Sequence, residues 1–74
     1  LIKKFTARLQ AGYAFKVRLS DGWSRRFVVH RVAKGTVQFY DPETERPGAQ
    51  RSIPLSEVQR LRHSNKFCFL DGAR

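Results

Sequence analysis

The segment Tyr13-Ala14-Phe15-Lys16-Val17-Arg18-Leu19 decides the fold. Tyr13, Phe15, Val17 and Leu19 fall on one side of an extended chain, and Ala14, Lys16 and Arg18 on the other. A period of two marks a strand with one buried and one wet face, because successive side chains point to opposite sides of a sheet. Ser20-Asp21-Gly22 follows, and Asp-Gly is a short-hairpin signal. Residues 23–32 then predict a second strand, in which Phe27-Val28-Val29 supplies side chains suited to a pleated surface. Lys34-Gly35 makes the next turn, and Thr36–Tyr40 (TVQFY) a third strand. Three strands joined by short turns make an antiparallel meander.

Beyond the meander, residues 41–50 carry Pro42, Pro47 and Gly48 among polar side chains, the composition of a mobile loop. Residues 52–55 predict a short strand. Pro54 lacks an N–H, which assigns it to an edge or a strand end. Leu55, Val58 and Leu61 are the apolar positions of the next stretch, which suits either a turn of helix or a further strand. Residues 63–65 form a turn, residues 66–70 (KFCFL) a fifth strand, and Asp71-Gly72 the start of one more hairpin. Ahead of Gly12, Leu1, Phe5 and Leu9 lie four apart, the spacing of a short amphipathic helix within a basic N-terminal segment, residues 1–11. Residues 12–74 make up the β domain. The expected fold is mainly β: an antiparallel barrel or sandwich of five or more strands. Phe15, Phe27, Phe39, Phe67 and Phe69 are its expected core, with Trp23 packed on it and the indole N–H at the surface.

Composition narrows the function. A chain of 74 residues makes one domain of modest stability. One cysteine, Cys68, permits no internal disulfide, and with His30 and His63 it offers no zinc spacing. A lone cysteine suits a reducing compartment, so a cytoplasmic location, cytoskeletal or at the membrane periphery, is expected. The sequence has no apolar run of membrane-spanning length. Lys and Arg number 15 against six Asp and Glu. The excess is uneven: residues 1–40 hold nine basic side chains and one acid, Asp21, whereas residues 41–74 hold six against five. A one-sided positive field favours polyanionic partners. Catalysis needs a positioned acid, base or nucleophile with a second group to tune it. Three of the few carboxylates, Asp41, Glu43 and Glu45, crowd into one loop and are expected to be a solvated turn. His30 sits within a strand, His63 in an exposed turn, and Cys68 between two phenylalanines with no adjacent base.

The order of several short motifs resembles the first part of a pleckstrin-homology (PH) domain. Gly12-Tyr13-Ala14-Phe15-Lys16 is similar to the family's opening strand, and Trp23-Ser24-Arg25-Arg26-Phe27-Val28-Val29 to its second. Val37-Gln38-Phe39-Tyr40-Asp41, Ile53-Pro54-Leu55 and Lys66-Phe67-Cys68-Phe69 resemble the third, fourth and fifth. Ser24 stands where a lysine is usual, and the family's C-terminal amphipathic helix, which plugs one end of the barrel, is absent. The resemblance implies a chain that stops before that helix and leaves apolar side chains at an uncapped end. It also implies a site: in lipid-binding members a first-strand Lys, a second-strand Arg and a third-strand Tyr contact inositol phosphates. The matching positions are Lys16, Arg26 and Tyr40, with Arg18 and Arg25 as auxiliaries.

These residues lead to a non-catalytic binding module. The expected function is protein docking on a cytoskeletal or signalling scaffold. Recruitment to phosphoinositide membranes through the first hairpin is the alternative, and a basic RNA-binding barrel the third choice. No cofactor, metal or small-molecule substrate is expected. A fragment of a papain-like fold using His30 is set aside, because no nucleophilic cysteine precedes the strands.

Overall fold

A computed structural model describes residues 9–48 and 51–70. The expectations for residues 1–8 and for Asp71-Gly72 lie outside them. The fold is mainly β: a curled antiparallel half-barrel with one short helix. Strand β1 spans Ala14–Leu19, β2 Gly22–Trp23, β3 Phe27–Ala33, β4 Thr36–Tyr40, β5 Arg51–Pro54 and β6 Phe67–Leu70. Helix α1, Leu55–His63, lies between β5 and β6. The order across the sheet is β6-β1-β3-β4-β5, with β2 pairing the far end of β1. The strand nearest the end of the described chain thus returns to pair with the first, Ala14 opposite Leu70 and Val17 opposite Phe67.

Alternation on β1 sets the two faces. Phe15 and Val17 point inward to join Leu9, Val29, Val37, Val58 and Phe67, and Phe27, Phe39, Ile53 and Phe69 pack against that cluster. Phe15 is its hub. Its ring centroid lies 5.0 Å from Phe67, stacked, 5.4 Å from Phe39 and 5.8 Å from Phe27. All five expected core phenylalanines therefore meet. A cleft of about 260 Å³ remains on this face, lined among others by Val17, Leu19, Phe39, Ile53 and Leu61.

The single second strand expected over residues 23–32 is broken at residues 24–26. Ser24 breaks it by a local side-chain substitution for the ladder. Its hydroxyl accepts the Val17 N–H at 3.0 Å and donates to the Arg25 carbonyl at 2.9 Å. Further on, β3 carries a bulge at His30: Val29 opposes Phe39, and Arg31 opposes Gln38. One extra residue reverses the alternation and keeps Arg31 off the core side. The β3–β4 turn is left-handed at both central residues, Lys34 (φ 54°) and Gly35 (φ 72°). That twist matches the flanking strands and suits Gly35.

Helix α1 resolves the open choice at Leu55, Val58 and Leu61 in favour of a helix. Val58 is buried, and Leu55 and Leu61 pack on the core. Pro54, on edge strand β5, precedes the helix without a side-chain cap, and the Leu55 N–H instead donates to the Gly35 carbonyl at 2.8 Å. At the other end Asn65 is left-handed (φ 58°). Its N–H reaches Arg62 O at 3.0 Å and the Lys66 N–H reaches Leu61 O at 2.7 Å, a Schellman termination. His63, expected in a turn, is the last helical residue. Among the described residues no helix is long and apolar enough to cross a membrane.

Candidate anion-binding face

Because Phe15 and Val17 face inward, Lys16 and Arg18 face outward. The ladder brings other residues to them. Arg18 pairs with Trp23 on one side. On the other, the Arg18 N–H donates to the Lys66 carbonyl at 2.9 Å, which continues the β1–β6 register by one pair. Trp23, Arg18 and Lys66 therefore form one row across three strands, with spacings of about 4.8 Å between strands. Lys16 stands about 7 Å along β1 from Arg18, opposite Cys68. Its ammonium lies 4.8 Å from the centroid of the Trp23 ring, a cation–π contact. Trp23 is 42 % exposed, which corrects the expectation that it packs on the core: residue 22–23 pairing puts it on the outer face.

Asp41, Glu43, Glu45 and Glu57 are engaged elsewhere, whereas Asp21 at the hairpin tip is exposed with no ion pair among the described residues. Arg25 Nε lies 3.2 Å from Asp41 and its Nη2 2.7 Å from Glu43. Arg51 pairs with Glu45 at 2.9 Å, and Arg60 with Glu57. Lys16, Arg18 and Lys66 have no carboxylate partner among the described residues. The Cys68 thiol is exposed on the same face and donates to the Phe69 carbonyl at 3.3 Å.

Of the five residues expected at the site, Lys16 and Arg18 come together. Arg25 turns to the 41–45 loop. Arg26 is exposed in the β2–β3 break, with no ion pair among the described residues. Tyr40 shares the outer face through its pairing with Val28 but lies on β4, two strands from β1. The hairpin tip itself is only Ser20-Asp21, since Leu19 pairs with Gly22. It contributes an acid and no cation. Lys66 was missed because its place opposite Arg18 depends on a pairing between distant parts of the chain.

The loop expected to be a solvated turn is a built one. Asp41 is 3 % exposed. Its Oδ1 accepts the Glu43 N–H at 2.9 Å, and its carbonyl accepts the Glu45 N–H at 2.8 Å. Glu45 Oε1 accepts the Asp41 N–H at 2.7 Å in return. A mixed cleft of about 480 Å³ beside it is lined in part by Asp21, Trp23, Arg25, Asp41 and Arg51, of which Arg25, Asp41 and Arg51 are engaged with one another or with Glu43 and Glu45. Among the described residues no group of three His, Cys, Asp or Glu is placed to hold a metal.

Glu45 titrates below its ordinary 4.5, first because the Asp41 N–H donates to its carboxylate and then because of Arg51. A depressed carboxylate favours the fold above pH 4.5, and that contribution disappears as pH falls through the lower folded value. Glu45→Gln is therefore expected to lower the urea midpoint at pH 7, with the gap to the parent narrowing at about pH 3. A gap that widens in acid contradicts this role.

Compared with known protein families, curated proteins and solved structures, the chain matches none.

Proposed function

We propose that this chain is a non-catalytic binding module that docks an anionic partner on the outer face of its sheet. Lys16, Arg18 and Lys66 supply the charge. The observation that carries the proposal is the register of β2, β1 and β6, which sets these cations side by side while the acids of the 41–45 loop pair with Arg25 and Arg51. Unpaired cations gathered on a stiff ladder attract an anion without first breaking an internal ion pair. In support of a non-catalytic role, Asp41, the buried carboxylate, holds the Glu43 N–H and Arg25 and so has a structural task. The PH-like protein-docking role, in the cytoplasm on a cytoskeletal or signalling scaffold, belongs to this proposal and rests on the residue pattern alone. Phosphoinositide capture at the first hairpin has less support, because the two-residue tip carries Asp21 and Arg25 is engaged elsewhere.

Inorganic polyphosphate isolates the electrostatic part. Reversing Lys16, Arg18 and Lys66 together to glutamate is expected to weaken its binding by about tenfold or more at about 0.1 M salt, with an unchanged circular-dichroism spectrum. Equal binding by parent and variant would remove the basis for this face.

A further inference from the structure

We infer that the outer face takes a single-stranded nucleic acid, with Trp23 as the platform for one base and Lys16, Arg18 and Lys66 as the track for its phosphates. The inference rests on the anionic-partner proposal and names the partner's chemistry. Trp23 is the only tryptophan, it is 42 % exposed, and Lys16 pins it at 4.8 Å. A ring fixed by an ammonium on one side loses little freedom when a planar ligand lands on its remaining surface. Base stacking on an aromatic ring is tolerant of sequence, and an adjacent cation compensates the phosphate.

The surroundings favour a flexible strand over other polyanions. The cations lie along β1 and the start of β6 beside Trp23 on β2, an open surface that suits a polymer lying flat across it. A duplex would offer phosphates but no unpaired base for Trp23. A compact headgroup would need donors gathered at one point, and the hairpin tip is Ser20-Asp21. A membrane would need exposed apolar side chains on one surface. Leu19, 52 % exposed, and Trp23 line one mixed cleft together with Asp21 and Asp41, and carboxylates beside an apolar pair oppose its entry into a bilayer.

The test uses the whole 74-residue chain and labelled oligothymidylate of about 12 nucleotides. Fluorescence anisotropy reads binding, and quenching of the lone tryptophan reports stacking. Binding is expected to weaken with salt at a log–log slope of about −2, as for roughly three neutralised phosphates on a single strand. Trp23→Leu is expected to weaken oligothymidylate binding about tenfold and polyphosphate binding much less, whereas Trp23→Phe recovers part of the loss. Unquenched fluorescence, or equal losses of both ligands in Trp23→Leu, overturns the stacking inference and leaves the anionic face standing. Capture of phosphoinositide vesicles without oligothymidylate also overturns it. Binding of neither polyphosphate nor oligothymidylate overturns the face as well.

Discussion

Phe15→Ala is expected to leave the domain largely unfolded at room temperature. Emptying a buried phenylalanine site costs about 3–5 kcal/mol, from lost transfer energy plus the cavity. A single core in a chain of this size supplies a net stability of roughly 3–5 kcal/mol, so the loss and the whole are comparable. Phe15 is the hub of the aromatic cluster, in contact with Phe27, Phe39 and Phe67, and is 2 % exposed. Phe15→Leu keeps most of the volume and is expected to cost about 1 kcal/mol. Urea titration followed by circular dichroism separates the two. A native-like midpoint for Phe15→Ala would show that the cluster relaxes to fill the gap, and would refute Phe15 as the hub.

Asp41→Ala is the second large effect, at about 2 kcal/mol. The substitution strands the Glu43 N–H and removes the anion that holds Arg25. Arg25 is half exposed and regains water, which keeps the cost below that of opening a fully buried pair. Asp41→Asn retains an acceptor for the Glu43 N–H and gives up only the charge, so about half the loss is expected. Equal stability of Asp41→Ala and the parent would mean that the loop stands without its carboxylate.

The sequence pattern made strands legible wherever a strand had one wet and one dry face. Thr36–Tyr40 emerges with its boundaries intact, and the alternation at residues 13–19 locates β1 to within one residue. Both are local signals. Helix α1 was undecided because its nine residues offer only Leu55, Val58 and Leu61, too few to separate a helical period from a strand. The His30 bulge and the break at residues 24–26 depend on which backbone groups find partners across the sheet, which no window of sequence contains. Trp23 and Asp41 mislead for a related reason. Side-chain type sets an average preference for burial, but the indole is placed outward by its pairing with Arg18 and the carboxylate inward by the Glu43 N–H and Arg25. The site divides likewise: Lys16 and Arg18 share a face by simple alternation, whereas Lys66 joins them through a ladder across the chain.

The return of β6 to β1 also has a mechanical consequence. Ala14 lies opposite Leu70, so the start of β1 and the end of β6 sit side by side at one end of an antiparallel pair. Tension applied through those two ends acts across the ladder and peels it open one hydrogen bond at a time, instead of shearing all of them together. Within that pair the Ala14–Leu70 end, farthest from the cationic row, is the expected place for it to open first.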